Sequence, residues 1–258
     1  MVTTYTSYLN IANNLDRSIQ LASEQPIVAR ETEYYLANVG KIDTVDEFMA
    51  DSRIYNYALK AHGLEEMSYA KAFIRKVLTE GIDNTDAFAN QLTDTRYRDL
   101  AEAFNFARHG DTATVFTVAQ QGTVDKYVRL TLEEDAGNAN EGVRLALYFE
   151  RMAPTLENAY EILSDTALSA VARTILSLPD EYAYTDIDKQ AAFFEANLDF
   201  ADFKDPAKLS ELMQRFTSLW EINNPSTALN AASLLSPFSP REISPDLMIA
   251  INNLKLGG

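Results

Sequence analysis

An internal repeat spaced by 114 residues is the feature that most constrains how this 258-residue chain can fold. When six residues are treated as an insertion in the second half, Phe73-Ile74 matches Phe193-Phe194. After a compensating deletion further along, Phe104 matches Phe216. The second half therefore reads as a divergent copy of the first, which predicts two tandem related repeats. The pairs matched at the 114-residue spacing are Tyr34 with Tyr148, Tyr35 with Phe149, Asp51 with Asp165, Ser52 with Thr166, Ile54 with Leu168, Ala58 with Ala172 and Leu64 with Leu178.

The composition favours helices throughout. Only 9 glycines and 8 prolines interrupt the chain, and alanine, leucine and glutamate fill the long gaps between them. Apolar residues recur at helical spacing, and two β-compatible runs, 114–119 and 127–132, have neighbours that favour helix over strand. We predict an all-α, multihelical fold in which each repeat contains about four or five short helices, with helical extensions at both termini.

Capping residues mark where helices begin and end. Thr44 with Glu47 fits a capping box. Asp205-Pro206 is typical of a helix start, because the first helical residue has no partner for an amide hydrogen and proline carries none. Aspartate also leads the helix starts at Asp51, Asp94 and Asp165, and we interpret all four aspartates as N-caps rather than catalytic acids. The predicted helix ends are Gly40, Gly63, Gly81, Gly110 and Gly137.

The two termini have no counterpart in the repeat. Tyr8, Ile11, Leu15, Ile19 and Ala22 form the seam of one amphipathic helix, and the end SPDLMIAINNLKLGG is apolar almost all round. Such apolar ends either pack against the core of their own chain or bind a partner protein. We divide the chain into an N-terminal amphipathic helix (1–30), a first helical repeat (31–110), a connecting helical segment (111–144), a second helical repeat (145–222) and a proline-punctuated tail with a terminal helix (223–258).

Charge and composition exclude several classes of function. The formal net charge of -16 disfavours binding to nucleic acid or to an anionic membrane surface. Cysteine is absent, which removes thiolate chemistry and sulfur-ligated zinc, and two histidines are too few for an all-histidine metal site. No stretch is apolar enough to span a membrane, and the N-terminus lacks the pattern of a cleavable signal peptide.

Motifs that carry chemistry are missing. There is no phosphate-binding loop, dinucleotide fingerprint or nucleophile elbow, and the stretch at 135–142 lacks the oxygen ligands of a calcium loop. Acidic runs such as Glu133-Glu134-Asp135 are interpreted as solvated charge, and His62 and His109 as helix C-terminal residues that interact with the helix dipole. We therefore predict no catalytic, cofactor-binding or metal-ligating residues and no small-molecule substrate. An enzyme would need a pocket in which an acid meets His62 or His109.

Several long phrases resemble one bacterial family. They are VARETEYYLANVGKIDTVDEFMADSRIYNYALKAHGLEEMSYAKAFIRKVL, FANQLTDTRYRDLAEAFNF, NEGVRLALYFERMAP and DIDKQAAFFEANLDFADFKDPAKL. The chain is similar, from about residue 5 to about residue 222, to the family called domain of unknown function 1217, whose members occur in flagellar gene clusters. The resemblance implies a multihelical fold of two related repeats, a flagellum-associated role and no established enzymatic activity.

These observations lead to two expectations for function. The first is a non-enzymatic structural or assembly-accessory protein of the flagellum, which contacts flagellar proteins or itself through helices. The second is a cytoplasmic chaperone or regulator of an exported flagellar subunit, which the acidic charge favours. We expect the protein in the cytoplasm or at the flagellum, with no cofactor, no nucleic-acid partner and no membrane insertion.

Overall fold

Helices make up the fold of residues 2–224, the part of the chain that this computed structural model describes. No strand occurs in that range, so the predicted all-α class is confirmed there, and the predicted terminal helix at 223–258 lies almost wholly outside the described residues. The α-helices are α1 (Thr4–Ala12), α2 (Leu15–Ser23), α3 (Pro26–Asn38), α4 (Val45–Ala50), α5 (Ser52–Ala61), α6 (Lys71–Glu80), α7 (Arg96–Ala103), α8 (Phe106–His109), α9 (Gln121–Ala139), α10 (Glu141–Met152), α11 (Ala159–Leu163), α12 (Thr166–Ile175), α13 (Ile187–Asn197) and α14 (Pro206–Asn223).

Aspartate side chains set the starts of three helices. Asp51 accepts hydrogen bonds from two amides in the first turn of α5, at 3.0 and 3.1 Å. Asp165 does the same for α12 at 2.8 and 3.0 Å, and Asp205 accepts from the first turn of α14 at 2.9 Å. The predicted N-caps are confirmed at these three positions. Asp94 also accepts from the amide of Arg96, the first residue of α7, at 3.0 Å, although Thr95 occupies the N-cap position between them.

Capping boxes begin α4 and α11. Thr44 accepts a hydrogen bond from the amide of Glu47 at 3.2 Å, as the sequence predicts. Asn158 accepts from the amide of Glu161 at the same 3.2 Å, a cap that sequence reasoning missed although asparagine stands three residues before glutamate. In both boxes the glutamate carboxylate also accepts from the amide of the residue before the cap, at 2.9 and 2.8 Å.

The chain leaves α5 and α12 through a left-handed residue. Gly63 has φ 68°, and Ser177, at the corresponding place after α12, has φ 56°. In both turns the next residue donates a backbone hydrogen bond five residues back, at 2.8 and 2.9 Å, which closes the helix end. Glycine adopts this conformation without penalty, whereas a side chain at Ser177 strains it.

Two groups of buried apolar residues form the core of the compact unit Met1–Trp220. One includes Tyr35, Phe48 and Phe104, and the other includes Phe149 and Phe216, all of which are fully buried. The long helix α9 packs against α2, α5 and α10 and so contacts elements from both groups. The predicted boundaries at residues 30, 110, 144 and 222 stay predictions.

The N-terminal segment differs from the single amphipathic helix that the apolar seam predicts. It forms α1 and α2 and the beginning of α3, because Asn14 leaves the helical conformation and donates a side-chain hydrogen bond to the carbonyl of Asn10 at 3.0 Å. Pro26 then begins α3. Tyr8 of α1 and Ala22 of α2 are buried, which shows that this end of the chain docks on its own core.

Two further expectations are wrong, whereas the predicted helix end at Gly40 is confirmed, because α3 ends at Asn38 and Gly40 follows its C-cap Val39. Gly137 lies inside α9 rather than at a helix end. The run 114–119 forms turns instead of a helix, whereas 127–132 is helical as predicted. Side-chain hydrogen bonds explain the turns, since Thr114 donates to the carbonyl of Ile42 at 2.8 Å and Tyr35 donates to that of Ala119.

We predict that Ser177→Gly stabilises the protein by about 0.5–1 kcal/mol, because glycine relieves the left-handed backbone at an exposed position. The reciprocal change Gly63→Ser should destabilise by about 1 kcal/mol. Space is not the reason, since an added Cβ would meet only the Arg96 side chain, at an ordinary 3.5 Å. Urea unfolding of both variants measures the difference, and equal effects of the same sign would contradict this account.

Candidate functional site

A cleft of about 350 Å³ opens where α5, α7, α9, α10 and α12 approach one another. Its walls are largely polar and charged, unlike the aromatic-lined pockets typical of drug-sized ligands. The charged and hydroxyl-bearing side chains that border it are Glu65, Glu66, Arg96, Tyr97, Glu133, Glu134, Arg144, Tyr148, Ser164, Asp165 and Thr166.

Arg96 joins three parts of the cleft. Its Nε and Nη2 donate to the carboxylate of Asp94 at 3.0 and 2.8 Å, and its Nη1 donates to the carbonyl of Gly63 at 2.9 Å. The same Nη1 lies 3.6 Å from a carboxylate oxygen of Asp165. Burial alone would lower the pKa of Arg96, but the hydrogen bonds and charges of its carboxylate partners raise it above its usual value. Arg96 therefore acts as a permanently charged tie between α5, α7 and α12.

Asp165 has structural partners for both carboxylate oxygens. One oxygen caps α12, and the other accepts a 2.7 Å hydrogen bond from the hydroxyl of Tyr148. Burial, together with the negative charge of Asp165, raises the pKa of Tyr148 above the usual value for tyrosine. Tyr148 thus remains a hydrogen-bond donor at neutral pH, and neither group is free to act as an acid or base.

Glu133 is a buried carboxylate in the middle of α9. It is 1% exposed and accepts from Nε of Arg129 at 2.9 Å and from Nε and Nη2 of Arg151 at 2.8 and 2.9 Å. The expectation that the acids at 133–135 are all solvated is wrong for this residue. Its position four residues after Arg129 was the available sequence signal. Because removing one member of a buried ion pair costs about 3–5 kcal/mol, this cluster anchors α9 to α10.

His62 borders a smaller pocket of about 40 Å³ next to the cleft. The ring is 6% exposed, and its Nδ1 lies 3.4 Å from Nζ of Lys126. Burial first, and then the charge of Lys126, hold the pKa of His62 well below its ordinary value, so the ring is neutral. Since a protonated lysine can only donate, Nδ1 is the acceptor and the ring proton is on Nε2. No described residue accepts a hydrogen bond from that Nε2.

The two histidines end their helices as predicted, but His62 does so in a different chemical state. It occupies the C-cap of α5, as the sequence predicts, but as a neutral buried ring, which lacks the positive charge that stabilises a helix C-terminus. His109 is the last residue of α8, with its ring centroid 4.5 Å from that of Phe116. Asp99 borders the same pocket as His62, without a hydrogen bond between them.

The cleft brings together charged groups that mostly pair with one another. Arg96, Glu133 and Asp165 all have partners within the protein. Over residues 2–224, no three acidic or histidine side chains are grouped so that they could hold a metal ion. The same part of the chain has no helix whose length and apolar character would let it cross a bilayer.

Comparison with known proteins gives one family and one solved structure. The family model described as "Protein of unknown function (DUF1217)" matches residues 61–209. An X-ray crystal structure of a protein from Agrobacterium tumefaciens, a structural-genomics target, has 52% sequence identity and a TM-score of 0.80, and the match covers 86% of this chain and 94% of that one. No curated protein matches. The family resemblance is thereby confirmed, and the flagellar role stays a prediction.

We predict that the free energy of unfolding falls as the pH drops below about 6.5, by up to about 1.4 kcal/mol per pH unit, because unfolded His62 binds a proton that folded His62 refuses. The stability is fully present above the unfolded pKa and is lost on acidification. His62→Leu should remove this slope between about pH 5.5 and pH 6.5, whereas His109→Leu should retain it. Urea unfolding at each pH measures the slope, and a slope that survives in His62→Leu would contradict the assignment.

Proposed function

Because the chain belongs to the DUF1217 family of proteins of unknown function, we propose that it acts as a non-enzymatic, flagellum-associated structural or assembly-accessory protein. It works through contacts between its surface and other flagellar proteins or a second copy of itself. The flagellar part of this proposal rests on the resemblance to a family that occurs in flagellar gene clusters, which is an association rather than a mechanism.

An exposed apolar surface carries the proposal. Val115, Phe116 and Val118 form a patch, here called the 115–118 patch, in which the residues are 50%, 43% and 46% exposed. Large apolar side chains so close together on a surface are typical of sites that bind other proteins. Leu36, which is 41% exposed, lies on α3, the helix that anchors this segment through Tyr35.

The 115–118 patch is held in place at both ends. Thr114 donates to the carbonyl of Ile42 at 2.8 Å, and Tyr35 of α3 donates to the carbonyl of Ala119. Thr123 of α9 donates to the carbonyl of Val118 at 3.2 Å. A surface fixed before binding loses little conformational entropy on association, which favours tight contact with a partner.

The paired charges of the cleft support the non-enzymatic part of the proposal. A catalytic acid, base or nucleophile needs to exchange protons with substrate, whereas Arg96, Asp165 and Glu133 are committed to helix caps and ion pairs. Burial and these ion pairs and hydrogen bonds are what alter the pKa values of groups in the cleft. Such altered pKa values are found in structural networks as well as in active sites.

A chaperone or regulator of an exported flagellar subunit is the second candidate. The net charge of -16 favours it, because an acidic surface attracts basic segments of a client and keeps the complex soluble. Cell fractionation separates the two candidates. A structural component is recovered in purified hook-basal bodies, whereas a chaperone stays in the cytoplasmic fraction.

We also propose that residues 31–110 and 145–222 are two copies of one helical unit. The hydroxyl of Tyr34 donates to Asp51 at 2.8 Å and that of Tyr148 donates to Asp165 at 2.7 Å, each across 17 residues. The matched capping boxes and the left-handed residues after α5 and α12 support the same interpretation. Failure of the backbone of 34–64 to superpose on 148–178 would count against it.

We predict that Val115→Asp combined with Val118→Asp weakens partner or self-association by about thirtyfold or more, the effect of losing a binding hot spot of about 2 kcal/mol. The fold should be unaffected, because both side chains are half exposed. The measurements are sedimentation velocity for self-association and quantitative mass spectrometry of proteins that co-purify from motile cells.

The matched control is Tyr184→Asp, since Tyr184 is 90% exposed and lies outside the 115–118 patch. The control should retain the association, and the unfolding midpoints of both variants should agree with that of the unchanged protein. If both variants co-purify with the same flagellar proteins and sediment alike, the 115–118 patch is not the contact surface.

A further inference from the structure

Helix α13 is buried on one side and exposed on the other. It packs against α11, and its buried residues are Gln190, Ala191 and Phe194. On the exposed side, a row of residues one turn apart leads along the helix through two alanines, with a phenylalanine on one flank and a glutamate on the other. These exposed residues, here called the α13 face, are Asp188, Ala192, Phe193, Glu195 and Ala196.

Phe193 lacks the aromatic cover that its counterpart in the first half has. Phe73 of α6, which matches Phe193 in the sequence, has its ring centroid 4.9 Å from that of Phe88 and 5.0 Å from that of Tyr97. Phe193 has one ring neighbour among the described residues, Tyr182 at 5.6 Å, and it is 37% exposed. A side of α6 that the protein covers with rings is therefore open to solvent on α13.

A shorter chain explains the missing cover. Leu92 lies 19 residues after Phe73, whereas the matching Phe203 lies only 10 residues after Phe193. Counted back from this matched pair, Asp199 stands where the first half has Phe88. This comparison rests on the proposed two-copy relation, but the exposure and the charge of the α13 face do not.

The surroundings of the α13 face are strongly acidic. Residues 176–202 contain seven acids and one base, Lys189. Among the described residues only one of these acids, Asp202, has an ion-pair partner. Asp188 accepts a hydrogen bond from the hydroxyl of Tyr160 on α11 at 2.9 Å, which holds its carboxylate in place. The unpaired acids favour a basic partner and disfavour a second copy of this chain, which carries a net charge of -16.

The shape of the α13 face suits a helix. Ala192 and Ala196 are one turn apart, and small side chains at a contact let two helix axes come to the near end of the usual 8–10 Å. A shallow depression of about 530 Å³ continues the face past the end of α13. It is lined by Glu195, Ala196, Asn197, Leu198, Asp199 and Phe200.

We propose that the α13 face binds a basic amphipathic helix of a partner protein. The helix lies along Ala192 and Ala196, places an apolar side chain against Phe193, and pairs lysine or arginine side chains with Asp188 and Glu195. In this mode of recognition, apolar anchors supply affinity, and charges beside them determine which partner binds. The face shares no residue with the 115–118 patch, so either proposal can fail without the other.

The probe is a synthetic peptide of about 14 residues, or four helical turns, in which leucine recurs at helical spacing and lysine fills the other positions. Fluorescence anisotropy of the labelled peptide measures its dissociation constant. A control peptide has the same composition with its leucines spread around the helix, so it keeps the charge and lacks the apolar stripe. The first peptide should bind the unchanged protein at least about tenfold more tightly than the control peptide.

Charge substitutions separate docking on α13 from general attraction to an acidic protein. Asp188→Asn combined with Glu195→Gln should weaken binding of the first peptide about fivefold, because two exposed ion pairs are lost. The matched control is Glu33→Gln combined with Glu211→Gln, which removes the same charge from exposed positions on α3 and α14. This control should bind the peptide as the unchanged protein does.

Filling the row of small residues tests the contact between helices. Ala192→Gln combined with Ala196→Gln leaves the charge unchanged and should weaken binding by about tenfold or more, because the longer side chains hold the helix axes apart. Ala29→Gln combined with Ala37→Gln makes the same change at two exposed alanines of α3 and should leave binding unchanged.

A last measurement uses the unchanged protein. The first peptide, with a photoreactive group in place of one leucine, should form cross-links to α13 or to Tyr182, which mass spectrometry locates. Absence of binding, equal binding of the two peptides, or equal binding by each variant and its control would overturn the proposal. Cross-links confined to other surfaces would also overturn it, and cross-links at the 115–118 patch would assign the basic helix to that patch.

Discussion

A tyrosine hydroxyl bound to a helix-capping carboxylate is the interaction on which the packing of the helices depends. Asp51 and Asp165 each use one oxygen to cap the following helix and the other to accept from Tyr34 or Tyr148, on a helix that packs across it. One side chain therefore fixes both where a helix begins and how it lies against its neighbour. At Asp165, Arg96 adds a positive charge 3.6 Å from this carboxylate, which is only 7% exposed.

The most deeply buried charged side chain of the described residues, Glu133, lies on α9. Glu133 binds two arginines there, and Lys126 lies two turns earlier beside the neutral ring of His62. The lining of the small pocket includes three basic side chains, Arg96, Lys126 and Arg151, and one acid, Asp99, although the chain as a whole carries a net charge of -16.

The parts of the structure that depend on neighbours in sequence could be predicted, and those that depend on distant contacts could not. Asp51 and Thr44 bind amides two or three residues away, so residue type and spacing were sufficient to identify them. The neutral state of His62 is imposed first by burial and then by the charge of Lys126, 64 residues away, and the turns at 114–119 by hydrogen bonds to Ile42 and α3. In the sequence, Glu133 is one of three consecutive acids and resembles a solvated residue, because its partner Arg151 lies on another helix, α10.

The docking of α1 has a consequence for synthesis on the ribosome. The hydroxyl of Tyr8 donates to Glu150 at 2.8 Å, and 142 residues separate the two. At about 5–20 residues per second, the first helix emerges on the order of ten seconds before the helix it packs against. During that interval its apolar side chains have no native surface to cover them. Helix α1 is thus made well before α10 and reaches its place only after α10 has emerged, so it needs protection from aggregation while translation continues.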